Sequence, residues 1–275
     1  MATQSVALAR PTTPSSAGVI LPAFTLWWRE IVRFYRQPGR VVGVLASPLV
    51  FWLVLGSGFG TSMRSAPGGD QQHYLDYFYP GTLILIVLFT SIFTMMSVIE
   101  DRKEGFLLSV LVAPVPRTAI VLGKVLGGTT LSAIQGLLFL IFAPFAGIHL
   151  HALQVLMVVV VVFLVSFSLT ALGFAIAWPM DSSQAFHGVV NLFLIPLWLL
   201  SGALFPLTGA SSWIRAVMYL NPLTYGVEAL RWLLYPTQDA SVAIKSAMAT
   251  LVLFSLVMFG FALLMVNRRT TKPAA

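Results

Sequence analysis

Residues 125–180 read VLGGTTLSAIQGLLFLIFAPFAGIHLHALQVLMVVVVVFLVSFSLTALGFAIAWPM, 56 residues without one Asp, Glu, Lys or Arg. As a single helix rising about 1.5 Å per residue the stretch would be roughly 84 Å long, whereas a hydrocarbon core is only about 30 Å thick. It therefore crosses a bilayer twice. Gly147-Ile148-His149-Leu150-His151 supplies the turn between, which predicts spans over residues 119–146 and 153–177.

Upstream, uncharged runs predict spans at 41–60 and 80–99, the second ending in Glu100-Asp101-Arg102-Lys103-Glu104. Downstream, a fifth span covers 188–205, closed by Pro206 and Gly209, and a sixth covers 244–266 before Asn267-Arg268-Arg269. The whole chain of 275 residues is 58% hydrophobic and 9% charged. A soluble domain carries about 25% charged residues, so too little polar surface is left to coat a globule. The runs are continuous, not alternating, which favours helices over a barrel. The expected fold is all-α and polytopic, with six transmembrane helices.

Six spans place both ends of the chain on one side. Twelve basic residues fall on that side (Arg10, Arg29, Arg33, Arg36, Arg40, Arg102, Lys103, Arg117, Lys124, Arg268, Arg269, Lys272) and four on the other (Arg64, Arg215, Arg231, Lys245). The bias predicts cytoplasmic termini and a location in the cell (inner) membrane. The net charge of +7 flanks the apolar runs and forms no long basic cluster, so it suits a membrane surface and lipid headgroups, not nucleic acid. The chain has no cysteine, which excludes disulfides and thiolate metal sites.

Residues 1–22 are rich in Ser, Thr, Pro and Ala and are expected to be disordered, with no secretory signal. A helix over 23–37 follows. Phe24, Trp27, Trp28, Ile31 and Tyr35 share one face, and Thr25, Arg29, Arg33 and Arg36 the other, the pattern of a helix lying in the membrane interface. Gln37-Pro38-Gly39 separates it from the first span. After span five, a helical hairpin over 211–235 is expected to dip into the outer leaflet. In it Ser211 or Ser212 caps the first helix, Thr224 the second, and Glu228 and Arg231 are spaced to pair.

The chain carries no serine elbow, no metal-spaced histidines and no GxxxxGK[ST] nucleotide loop, so no catalytic residue and no metal or other cofactor is assigned. His149 and His151 read as loop residues. Lys124, near the inner end of span three, is expected to snorkel to the interface. Small residues at four-residue spacing in spans three and four (Gly128, Ser132, Gly136; Ser166, Thr170, Gly173) read as helix packing. Thr90, Thr94, Gln135 and Asn191 are the candidates for a substrate path. An ion-coupled carrier would need an ionisable group in mid-membrane. None is evident, so the energy source is expected on a partner.

Residues 100–117 read Glu-Asp-Arg-Lys-Glu-Gly-Phe-Leu-Leu-Ser-Val-Leu-Val-Ala-Pro-Val-Pro-Arg, followed by Gly123-Lys124. This resembles the first cytoplasmic loop of ABC-2 type transporter permeases, with matches at Arg102, Glu104, Gly105, Pro114, Arg117, Gly123 and Lys124. Where that family commonly has Thr and Glu after the glycine, this chain has Phe106, Leu107 and Leu108. The stretch Pro196-Leu197-Trp198-Leu199-Leu200-Ser201-Gly202, the Asn221-Pro222 step and Glu228 to Arg231 are similar to the same family's fifth span and outer re-entrant helices. The resemblance covers nearly all of residues 23–275 and implies the permease subunit of an ATP-driven exporter. Such a subunit pairs with a second copy or a similar permease, and works with separate ABC-type ATPase subunits that bind ATP and Mg. It further implies an ATPase-coupling interface at Glu100, Asp101, Arg102, Lys103, Glu104, Gly105, Leu108, Pro114 and Arg117, with Arg29 and Arg33 of the interfacial helix, and an outer gate at Asn221, Pro222, Glu228 and Arg231. Leu107, Leu108 and Leu111 are expected to enter an apolar groove on the ATPase. The expected cargo is a small hydrophobic or amphiphilic compound such as a drug, lipid or glycoconjugate. The alternatives are an ion-coupled carrier and a non-transporting scaffold.

Overall fold

The computed structural model describes residues 18–64, 74–236 and 242–267. The expectations for residues 1–17, the centre of the first outer loop and the basic tail lie outside them. Eleven α-helices follow in order: α1 (Ile20–Tyr35), α2 (Pro38–Arg64), α3 (Tyr74–Lys103), α4 (Phe106–Val112), α5 (Arg117–Phe139), α6 (Ala152–Ala177), α7 (Ser183–Val189), α8 (Ile195–Trp198), α9 (Ser212–Leu220), α10 (Pro222–Leu234) and α11 (Ile244–Asn267). No strand occurs among the described residues.

Six segments are long and apolar enough to cross a membrane, at 41–58, 74–103, 117–146, 152–177, 183–203 and 244–267. The chain is a multi-pass membrane protein. The fifth segment begins five residues before the expected 188, because Ser182 caps α7 by accepting from the Ala185 amide. Gly147 takes the left-handed conformation (φ 63°) at the predicted turn. His151 then starts α6 with its amide bonded to Gln154.

α3 is the axis of the bundle. Its side chains from Tyr79 to Leu88 are almost wholly buried, packed by α2, α5 and α6, whereas α11 covers only α6, α10 and part of α5. Two glycines of α5 let α1 lie directly on it. A Cβ at Gly123 would sit 2.6 Å from the Leu26 Cβ and 2.7 Å from the Ala23 carbonyl oxygen, and one at Gly127 would sit 2.8 Å from the Glu30 Cβ. The Trp27 indole also donates to the Thr130 hydroxyl at 3.0 Å.

α1 thus has three faces, not two. Ile20, Leu21, Phe24, Trp28 and Tyr35 are exposed and apolar, while Ala23, Leu26, Glu30 and Phe34 are buried on α5. Arg29 and Arg33 lie between, towards the end of α3. The helix starts three residues before the expected 23 and ends at Tyr35, two residues before the expected 37, with Pro38 opening α2, a position at which its missing N–H leaves no carbonyl unpaired.

The fifth segment is not a regular helix. Two π-wound turns, Val190–Leu194 and Leu199–Ala203, bracket α8, and Gly202 sits at φ 82°, a conformation that costs glycine nothing. The first bulge precedes Pro196, which has no N–H to give that turn, and the second coincides with the non-helical Leu200 and Gly202.

Candidate functional site

At the basic end of the bundle, α1, α3 and α5 meet in a network of charged groups. Lys124 is 1% exposed and does not snorkel: its ammonium donates to Glu30 at 2.6 Å, to Ser97 at 3.1 Å and to Asp101. Position 124 faces α1 and α3, so the side chain has no route to the surface, and the Glu30 and Asp101 carboxylates replace the lost water. Glu30 is buried and accepts from the Ser97 hydroxyl at 2.7 Å. Asp101 is fully buried and is held by Arg29 at 2.8 and 2.9 Å and Arg33 at 2.6 Å. Arg33 also reaches Glu100 at 2.7 Å and Glu104 at 3.6 Å.

Burial opposes the charge on Arg29, but its hydrogen bonds to Asp101 and the charges of Asp101, Glu30 and Glu104 outweigh that. Its pKa therefore lies above the ordinary arginine value and it stays charged. The guanidinium also stacks over the Phe106 ring at 3.7 Å, which ties α4 to the same network. The sequence grouped Arg29, Arg33, Glu100, Asp101 and Glu104 at one interface but did not join Lys124 to them. Glu30, the one acid of α1, was missed by sequence reasoning, because its partners lie 67 and 94 residues away along the chain.

Two more basic residues hold helix ends. Arg102 donates to the carbonyls of Trp178 and Met180 and pairs with Asp181 at 3.2 Å, all at the C-terminus of α6. Arg117 donates to the Val266 carbonyl at 3.0 Å, at the C-terminus of α11. Unpaired carbonyls and the negative end of the helix dipole favour a cation at both places.

Gly105 turns the chain into α4 through a left-handed φ of 76°. Ala113 and Pro116, both extended, end that helix and start α5. α4 buries Leu107 and half-buries Phe106 and Val110, while Leu108 (66% exposed), Leu111 and Val112 point out. The expectation that Leu107 faces outward is corrected: it turns about 100° away from Leu108, onto the side that Val110 also presents to the bundle. Lys103, Glu104 and Pro114 are exposed beside it.

A second set of polar contacts lies at the other end, around the broken fifth segment. Asn221 donates to the carbonyls of Leu197 (2.5 Å) and Leu200 (3.0 Å), on either side of the break into the second π turn. Its own oxygen caps α10 by accepting from the Leu223 amide at 3.0 Å, the role expected of Thr224. Thr224 instead donates to the Met218 carbonyl at 2.7 Å, and Ser211 stands at the start of α9 without a side-chain bond. Glu228 and Arg231 pair, both buried. Arg231 also donates to the Gly202 carbonyl at 3.0 Å and lies over the Tyr77 ring at 4.4 Å, and the Tyr77 hydroxyl donates to that carbonyl at 2.9 Å. Pro222 fixes the first turn of α10.

Of the path candidates, Thr90, Thr94 and Gln135 are enclosed between α3, α5 and α6, and Asn191 is exposed beside Leu192 and Phe193. An apolar cleft of about 190 Å³, lined by Ser47, Phe51, Leu85, Phe89, Ile195 and Trp198, opens between α2, α3 and α8.

Comparison with known proteins places this architecture. The chain is 30% identical over 252 residues to ycf38 of Cyanophora paradoxa, which carries the description transport permease, with 86% of each chain covered. It is 24% identical over 231 residues to the daunorubicin resistance ABC transporter permease protein DrrB1 of Streptomyces coeruleorubidus, covering 82% of this chain and 78% of that one. To the inner membrane transport permease YadH of Escherichia coli K12 it is 26% identical over 215 residues, covering 76% and 80%. Residues 23–235, from the buried face of α1 to the end of α10, match the ABC-2 type transporter family, and the chain belongs to that family.

Proposed function

We propose that the chain is the membrane half of an ATP-driven exporter, working with a separate ABC-type ATPase that docks on α4. The observation that carries the reading is the pair of opposite faces on α4. Phe106, Leu107 and Val110 root it in the bundle, while Leu108, Leu111 and Val112 stand outside with Lys103 and Glu104. Exposed apolar residues rimmed by charge mark a docking surface.

Force applied to α4 passes through Gly105 into α3, and through Arg29 and Arg33 into α1, which glycines seat on α5. The three helices then tilt as a block, and a rigid-body tilt is a standard way to reshape a path between two subunits. In this reading Arg29, Arg33, Glu100, Asp101, Arg102 and Arg117 hold the coupling element in place, and Glu104, Leu108 and Pro114 meet the ATPase. α1 lies on the cytoplasmic leaflet with Phe24 and Trp28 in lipid. α9 and α10 form the outer re-entrant hairpin, with Asn221, Pro222, Glu228 and Arg231 fixing the outer end of the fifth span as a gate. The ATPase binds ATP and Mg, and this chain pairs with a second copy.

The cargo is a small hydrophobic or amphiphilic compound. The apolar cleft by Phe89 and Trp198 supports that class, as does the daunorubicin resistance in one relative's name. An ion-coupled carrier is less well supported. Glu30 and Asp101 are ionisable and buried, but each is already matched by cations.

Glu104→Ala and Leu108→Asp test the docking, because both side chains are exposed and neither change disturbs the core. Each variant is expected to insert at normal levels yet lose export and the stimulation of ATP hydrolysis by cargo. Normal export by both would remove α4 as the docking element.

A further inference from the structure

Where α3, α5 and α6 touch, the helices come as close as glycine allows. A Cβ at Gly128 would lie 2.6 Å from the Thr170 methyl, 2.8 Å from Met95 Cε and 2.9 Å from the Thr94 hydroxyl. About two helical turns away, Gly136 of α5 meets Val87 of α3 and Val162 of α6 in the same way. Between these two contacts the facing residues are Thr90 and Ser91, Ser132 and Gln135, and Ser166, and all five are at most 1% exposed.

Most hydroxyls in the spans settle their hydrogen on a carbonyl of their own helix. Thr82, Thr90, Thr94, Thr129, Ser132 and Ser168 all do so, at 2.7 to 3.0 Å. Ser91, Ser166 and Thr170 do not. Their hydroxyls, together with the Gln135 amide nitrogen, are buried with no hydrogen-bond partner in the protein. Thr90 spends its one hydrogen on the Ile86 carbonyl, so its 3.4 Å contact with the Gln135 amide is satisfied by the amide N–H as donor, which leaves the Gln135 oxygen free instead. Four unpaired polar groups on three helices then fall within about two helical turns of one another, roughly 11 Å along the axis.

Buried polar groups are very seldom left unpaired, and in an apolar interior the cost of doing so is high. Replacement by Ala or Val would have removed that cost, yet the chain keeps three hydroxyls and an amide facing one seam. We propose that this seam is a hydration site: ordered water bridges Ser91 of α3, Gln135 of α5, and Ser166 and Thr170 of α6. The chemistry of the four groups, three hydroxyls that both donate and accept and one amide, suits water, which needs two to four such partners.

The site continues a polar column. Thr94 lies beside Thr170 at Gly128, Ser97 is the next turn of α3, and Ser97 bonds Glu30 and Lys124. Water-bridged contacts can exchange partners without being broken outright, so α6 can shift against α3 and α5 while the charged network at their end stays intact.

Met95 reports on the site, since its side chain packs between Gly128 and Gly173, yet it is wholly buried. Millisecond X-ray radiolysis of the full chain in lipid nanodiscs makes hydroxyl radicals from bound water as well as bulk water. Met95 is expected to oxidise several-fold faster than Met218, which is equally buried but has no unpaired polar group against it. Thr170→Val combined with Ser166→Ala should slow Met95 oxidation to the Met218 rate and lower the thermal midpoint. If Met95 is as protected as Met218 in the unaltered chain, the seam is dry and the proposal fails. It fails equally if the double variant melts at the same or a higher temperature with Met95 oxidation unchanged.

Discussion

Lys124 sits between two carboxylates, so its removal does different damage to each. Asp101 keeps Arg29 and Arg33, whereas Glu30 keeps only Arg29 at 3.4 Å. Stripping one partner from a buried pair costs about 3–5 kcal/mol, chiefly through the charge left behind. Lys124→Met is therefore expected to lower the thermal midpoint of the detergent-solubilised protein markedly. Adding Glu30→Gln should restore most of the loss, because the amide is neutral and still accepts from Ser97. Adding Asp101→Asn should not, because it strands two arginines. Differential scanning fluorimetry of the three proteins decides it, and a Lys124→Met/Glu30→Gln pair no better than Lys124→Met would refute the charge-matching account. At this scale the sequence was only partly legible. Asp101, Arg29 and Arg33 stood out as charges near span ends, but their partners were invisible. An ion pair between α1 and α3 depends on which way two helices separated by a whole span are turned, and periodicity within one helix does not carry that.

At the scale of the element, the glycines of α5 were legible as a motif and illegible as a mechanism. Gly123 stood beside Lys124 in the resemblance, but nothing in the chain announced that α1 would be the helix seated there. The seat is narrow, since the atoms facing Gly123 are the Leu26 Cβ and a backbone carbonyl, neither of which can swing aside. Gly123→Ala should thus push α1 off α5, at a cost of about 1–3 kcal/mol for an overpacked contact. Arg29 and Arg33 would then leave their carboxylates, and trypsin should cut after them several-fold faster than in the unaltered chain. Gly188→Ala, with open space around it, is the control. Equal cleavage and equal melting of the two variants would show that α1 is held by charge alone. The same contrast between pattern and orientation explains α4. Its Gly105 start and proline-bounded end could be read directly, but whether Leu107 or Leu108 faced the bundle depended on how the left-handed glycine aims the helix. The π turns of the fifth segment were hidden for another reason. Pro196 signals a break, yet how that break is repaired rests on Asn221, which comes 25 residues later and belongs to a different helix.

For the whole molecule, α3 is the rod that joins two ends. Tyr77 at one end meets Arg231 and the Gly202 carbonyl, and Asp101 at the other meets Arg29, Arg33 and Lys124. The six crossings were legible because apolar length is a one-dimensional property, and a bilayer's thickness turns it directly into a count. The side on which each end of the rod lies follows from a different property, the distribution of positive charge. By the order of the expected spans, twelve of the sixteen Lys and Arg belong to the Asp101 side. The structure adds a reason to weigh them unequally, since Arg29, Arg33, Arg102, Arg117 and Lys124 are each engaged by acids or helix ends and present less free charge to a membrane surface. If those five are set aside, seven basic residues remain on that side. Arg215, which donates to three loop carbonyls, and Arg231 drop out on the other, leaving two. The bias survives, so the Asp101 end and both termini are expected in the cytoplasm. The chain has no cysteine, so single cysteines report without background. In intact cells an impermeant maleimide should label Ser65→Cys and Ser211→Cys, and should reach Thr270→Cys only after the membrane is opened. Labelling of Thr270→Cys in sealed cells, with Ser65→Cys and Ser211→Cys protected, would invert the molecule and put α4 on the wrong side for any ATP-driven partner.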